Sequence, residues 1–477
     1  MRLARLFVVG AVLAALVVGL AVDTNDRPTP EVAATSTNGV PTAVDSGVWF
    51  CPGGSSPDGL AAVSLELINV GSTPASAVVS GVRSGSGLDA REVTEVVEVG
   101  ERRLVRLAEL VPESDWMGAV VEVERGDLIV EQTYTGQQSA VGDPLGIDRA
   151  PCHSRTATSW VVASGATRKE QFGEQMILLV LNPFLDDAVL DISFDSDVGV
   201  DSLTGVVVPA RRVTAIDLTN EVTVAARVSA VVDVVAGRVA LSRLQVVQNE
   251  SVSGLAVTPA SADAAPVWFL PVVNRGVRDD VITVVNPSRT ESAEVDLEIV
   301  ADGDILFDPV LLTIRPGRAV QVPLVDEARL EGVETMSIVA RSLSGLPVAV
   351  ISESSLPLGD GRVTNMSATV GADSASTRWV APLEADAGGI VIYNPSAVGI
   401  SSATVSVLVD GELSFVADVE LGPLRRAVIS SEELGGERPI AVVEASEPVV
   451  VGREFADVSL HAQMVAVISG AEAVALG

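Results

Sequence analysis

Tryptophan recurs at positions 49, 160, 268 and 379, at spacings of 111, 108 and 111 residues. A period of that length means one folding unit copied four times, and every other reading of the chain has to accommodate it. Each tryptophan opens a similar tetrad: Trp49-Phe50-Cys51-Pro52, Trp160-Val161-Val162-Ala163, Trp268-Phe269-Leu270-Pro271 and Trp379-Val380-Ala381-Pro382. Trp116 stands outside the series. Between 15 and 22 residues later an apolar run ends in Asn69, Asn182, Asn286 or Asn394, the last three followed by proline. Proline cannot donate a ladder hydrogen bond, so each Asn-Pro is expected to end a strand and start a turn.

The rest of each unit is equally strand-like. Alternating stretches such as Ala293–Ile299 and Ala403–Val409 mark half-buried strands, and Asp302-Gly303 and Asp410-Gly411 supply hairpin signals. A strand leading into a turn with Pro or Gly and Arg follows, as in Val208-Pro209-Ala210-Arg211, Arg315-Pro316-Gly317-Arg318 and Gly422-Pro423-Leu424-Arg425; two further strands close the unit, and a weak last strand precedes the next tryptophan. Val and Ala dominate the apolar residues while aromatics are 3% of the chain, a bias that favours strands. About seven short strands per unit predict an all-β chain of four tandem immunoglobulin-like β-sandwich repeats strung one after another. The alternative is a β-propeller in which each unit contributes two blades. The expected divisions are a transmembrane anchor or signal peptide at 1–22, a flexible linker at 23–46, and repeats at 47–157, 158–265, 266–376 and 377–477.

Arg2 and Arg5 precede an apolar run from Leu6 to Val22, and Asp23 and Asp26 follow it. That charge order places the N-terminus in the cytoplasm and the bulk of the chain outside, as a single-pass membrane protein or, after cleavage near Gly19-Leu20-Ala21, a secreted one. Two cysteines in an oxidising compartment usually pair, and Cys51 and Cys152 lie near the two ends of the first unit. The expected disulfide staples that unit. The formal net charge of -32 repels phosphate backbones, so nucleic acid is not an expected partner.

Little catalytic equipment is visible. His153 and His461 are the two histidines of the chain, and there is no Gly-x-Ser-x-Gly elbow, Walker loop or His-Glu-x-x-His. His153 follows Cys152, but a disulfide there removes any thiol nucleophile. Transition metals need clustered His and Cys, which are lacking. Asp195, Asp197 and Asp201 surround a glycine and form a weak calcium candidate, though Asp and Gly are also ordinary turn residues. No cofactor is expected.

The series Trp, apolar strand, Asn-Pro, alternating strand, Pro/Gly-Arg turn and Pro448-Val449-Val450-Val451-Gly452-Arg453 resembles exported repeat modules of actinobacterial proteins. With its N-terminal span and Trp49-Phe50-Cys51-Pro52-Gly53-Gly54, the whole chain resembles an uncharacterised actinobacterial exported or membrane-anchored family, domain of unknown function 5719. The resemblance implies an envelope protein with no assigned activity, so no catalytic residue carries over. The expectation is a non-enzymatic extracytoplasmic scaffold, spacer or adhesion module whose partner is an envelope protein or glycan. The alternative is a glycan-binding accessory of cell-wall polysaccharide assembly.

Overall fold

The computed structural model describes residues 47–472 apart from 87–89, 137–145, 250–252, 263, 275–277, 302–304, 334, 358–362, 384–387, 410, 437, 455–466 and 470. The N-terminal apolar run, the linker, Asp302-Gly303, Asp410 and His461 therefore lie outside the described residues. Among the described residues no helix is long and apolar enough to cross a membrane.

Among the described residues each repeat follows an eight-strand plan rather than seven. In the third the fourth strand is split into Ile305–Leu306 and Val310–Ile314, and in the fourth a short extra strand, Ala471–Glu472, pairs with strand one. In the second repeat the eight are Ser159–Val162, Glu174–Asn182, Ala188–Ser196, Gly199–Val208, Arg212–Asp217, Val228–Ala236, Ala240–Gln248 and Ser253–Pro259. Strands four, three, six and one form one sheet, and strands five, two, seven and eight form the other. The same order recurs in all four repeats, with strands six and seven of the last repeat running on as one segment, Ile440–Glu454. The two sheets enclose a core; in the second repeat Trp160 and Ile192 from one meet Leu178 and Leu241 from the other. The four-repeat sandwich architecture is thus as the sequence predicts.

The asparagines explain how the chain changes sheets. Asn182 ends strand two; its amide nitrogen donates to the carbonyls of Asp186 and Val208, and its amide oxygen accepts from Phe184 N–H. Asn286 and Asn394 make the matching bonds to Ile314 and Leu421 and to Ser288 and Ser396. Asn69, which lacks the following proline, does the same to Val97 and Gly71. The amide, not the proline, ties the crossover to the end of strand four. The next crossover turns on a left-handed residue: Gly100, Arg211, Gly317 and Leu424 have φ of 73°, 53°, 64° and 54°.

All four tryptophans are interior. Trp160 and Trp268 are fully buried, and the indole N–H groups of Trp268 and Trp379 donate to the carbonyls of Val348 and Val449. The residue after each of the first three tryptophans bridges the segment following strand eight, Phe50 to His153, Val161 to Ser261 and Phe269 to Ala372. In the first repeat this closure is covalent: Cys51 and Cys152 form a disulfide with Cα atoms 4.7 Å apart.

The repeats do not form an extended string. Val82 and Phe50 of the first pack on Leu181 and Val213 of the second, and Val161 of the second packs on Val285 and Ile351 of the third. Val300 and Phe269 of the third meet Tyr393 of the fourth, and Val380, Leu408 and Val442 of the fourth join the core cluster of the first. The chain of seams returns to its start, so the sandwiches close into a ring. Strands one and eight lie on its inner side and the more exposed strands four and five on its rim. By strand order each repeat divides into two layers, which in the first are joined by a parallel bridge between Ser55 and Ala62, so the layers match the two blades per repeat of the propeller alternative. Within each repeat the chain follows the interleaved path of a sandwich.

Candidate functional site

The functional possibilities lie in the seams, because there the repeats differ. Three residues before each key asparagine, strand two carries a side chain on its outer, seam-facing side. At the seam between repeats one and two it is Leu179, and between three and four it is Val391, both buried among apolar neighbours. Between two and three it is Thr283, and between four and one it is Glu66, both buried.

The two seams with polar residues also share a clamp. Arg243 of strand seven donates to the Ser164 carbonyl and, 2.5 Å away, to Glu353 of the third repeat. Arg453, in the equivalent strand of the fourth repeat, donates to the Pro382 carbonyl and to Glu131 of the first. Arg453 and Glu131 are both 2% exposed, so each ion depends on the other for solvation. Glu66 lies directly across the ladder from Glu131. Arg102, Arg149 and Arg438 surround its carboxylate. Burial by itself would raise the Glu66 pKa; the guanidiniums of Arg149, Arg102 and Arg438 outweigh it and hold the carboxyl below its usual range.

The seam between repeats two and three opens outward into a cleft of about 570 Å³ that adjoins a smaller hollow of about 90 Å³. Register explains why it opens here. The position of strand three that holds Asp195, opposite Ser229, is Val82 opposite Gly118 in the first repeat. It is Val300 opposite Ser337 in the third and Leu408 opposite Ile440 in the fourth. Those three apolar side chains fill their seams; Asp195 instead forms an ion pair with Arg318 at 2.7 Å and accepts from Ala319 N–H. Both spaces are lined by Asp195, Ser229 and Arg318, which stand where the two meet. Arg289 pairs with Asp233 at the outer margin. Thr283 lines the inner hollow, and its hydroxyl has no hydrogen-bond partner.

The calcium candidate residues are not brought together for that purpose. Asp195 is held by Arg318, Asp197 accepts from Arg227 N–H, and Asp201 accepts from Ser202 N–H. Among the described residues no group of three His, Cys, Asp or Glu side chains could hold a metal ion. His153 packs edge-on against Trp160, with ring centroids 4.8 Å apart, and its Nε2 lies 3.3 Å from Ser242 Oγ. Burial pushes its pKa down to about 4. Nearby Asp148 accepts from the backbone N–H of Val257 in the second repeat, and burial raises its carboxyl to about 7.

Sequence reasoning passed over the clamp arginines and Thr283. A signal existed: the motif Pro448 to Arg453 contains one clamp arginine, and Glu66 and Thr283 each stand between two apolar residues, Leu65 and Leu67 or Ile282 and Val284. No protein-family model matches this chain, and no curated protein does. The repeat motifs and the seams are therefore the grounds for any functional reading.

Proposed function

We propose that the protein is a non-enzymatic extracytoplasmic scaffold or adhesion module of the cell envelope, anchored through its N-terminal apolar segment. The observation that carries this reading is the Cys51–Cys152 disulfide within a ring built from repeats. Disulfides persist in oxidising compartments, which supports a location outside the cytoplasm. Ring closure favours a broad platform over a long spacer, since the repeats fold back on one another rather than extending. The resemblance to exported repeat modules points the same way. Charged groups such as Arg453, Glu131 and Glu66 hold seams together, which is a structural employment. A second reading, a glycan-binding accessory of cell-wall polysaccharide assembly, is favoured by the polar cleft between repeats two and three.

Fractionation tests the location. Full-length chain is expected in the membrane fraction, with its bulk digested by protease added outside intact cells and protected when residues 1–46 are deleted. Recovery of the full chain in the cytoplasm with both thiols alkylatable would defeat the proposal.

A further inference from the structure

We infer that the cleft between repeats two and three is a binding site for a neutral, hydroxyl-rich ligand, a short oligosaccharide. Two arginines, Arg318 and Arg289, and two aspartates, Asp195 and Asp201, line the cleft. Arg318 pairs with Asp195, Arg289 with Asp233 beside the cleft, and Asp201 accepts from Ser202 N–H. An anion arriving there meets both carboxylates on a chain of net charge -32, and a cation meets both guanidiniums. A neutral polyol meets neither penalty. Paired guanidinium and carboxylate groups offer donors and acceptors side by side, the pattern that vicinal hydroxyls satisfy. Ser193 and Ser202, register partners across strands three and four, add hydroxyls to the wall. Pro287 and Pro316 supply apolar surface suited to the C–H faces of a sugar ring.

Two further observations point to a ligand. The volume of about 570 Å³ falls within the range of small-molecule sites. Thr283, 1% exposed, keeps an unpartnered hydroxyl lining the inner hollow, a cost that a ligand hydroxyl reaching it would remove. The inference deepens the adhesion reading by giving it a ligand class. The two are separable: the cleft binds sugar in solution wherever the chain resides, and fractionation is blind to the cleft.

The test uses full chain in detergent, probed by saturation-transfer NMR. The probes are neutral tri- and tetrasaccharides of glucose, galactose, mannose and N-acetylglucosamine, with glucose 6-phosphate and spermidine as charged controls. At least one neutral probe is expected to receive saturation, and Ser202→Trp, an exposed position in the cleft, is expected to weaken its affinity at least tenfold. Arg289→Ala, at a side chain 75% exposed, is expected to weaken it several-fold without altering thermal unfolding. Leu311→Trp, exposed on the rim of the third repeat, is expected to leave it unchanged. Saturation of the charged controls alone, of no probe, or of a neutral probe equally in wild type and Ser202→Trp would overturn the inference.

Discussion

The seams of the ring come in two kinds that alternate around it. Between repeats one and two, and between three and four, the strand-two position facing the neighbour is Leu179 or Val391. Between two and three, and between four and one, it is Thr283 or Glu66, and an arginine of strand seven reaches a glutamate across the boundary. One backbone therefore supports two ways of joining sandwiches. Apolar seams gain from removing surface from water in proportion to area and are indifferent to small shifts. Clamped seams depend on a few charges in fixed geometry, and they fail sharply if one partner is lost. Four repeats thus behave as two pairs, and the boundary between repeats four and one, which closes the ring without a covalent link, is of the clamped kind.

The largest effect that tests this contrast is at that boundary. Arg453→Met leaves Glu131 buried without its counter-ion, and removing one partner of such a pair typically costs about 3–5 kcal/mol. Urea unfolding is expected to show that loss, and Arg453→Met combined with Glu131→Met is expected to recover most of it. A single variant as stable as wild type would mean that the clamp contributes nothing to closure.

The next is the converse change in an apolar seam. Leu179 is fully buried, and Leu179→Thr trades part of its apolar contact for an unpaired hydroxyl, at a cost of about 2–4 kcal/mol. If the seams were interchangeable, this variant would be as well tolerated as threonine is at 283. Chemical denaturation decides between the two.

A smaller effect of opposite sign is expected from Thr283→Val. The unpartnered hydroxyl is replaced by an isosteric methyl, and an empty cleft is expected to give a gain of about 1 kcal/mol. The same substitution is expected to weaken oligosaccharide binding. A loss of stability in the free protein would show that the hydroxyl is already satisfied.

How much of this was legible depended on what repetition exposes. Trp160, Trp268, Trp379 and the asparagines announced themselves because the same backbone need recurs in every copy. The disulfide was legible from the placement of Cys51 and Cys152 at the ends of one repeat. The ring was not, because the residues that make it alternate with core residues along the same strands. Met176 to Leu181 is apolar throughout, as befits a strand covered on both faces, yet such a run does not name what covers it. The fifth strand was lost for a similar reason: Arg212–Asp217 is short, follows directly on the arginine turn, and is held by pairing with strand two. At the cleft, Asp195 drew notice as a turn carboxylate. Its ion pair with Arg318 lies more than a hundred residues away in sequence and follows from register and packing between repeats.

The remaining expected effect is a slope rather than an offset, and it belongs to the seam between repeats one and two, where His153 and Asp148 are buried. His153 has its pKa lowered from 6.5 to about 4, chiefly by burial. Its neutral form is the one the fold accepts, so its contribution is present above pH 6.5 and is lost as pH falls through about 4. Asp148 has its pKa raised from 3.8 to about 7, again chiefly by burial and against the pull of the Val257 and Arg149 backbone N–H groups and of Arg243. The folded state then holds a proton that the unfolded state has released, so stability falls as pH rises from about 4 through about 7. Over the shared range the two slopes oppose each other and flatten the wild-type profile. His153→Gln is expected to unmask the Asp148 slope, making the protein less stable at pH 7 than at pH 5. Asp148→Asn is expected to unmask the reverse. Denaturation midpoints measured across that interval test both, and a pair of variants with parallel profiles would show that neither group titrates within the seam.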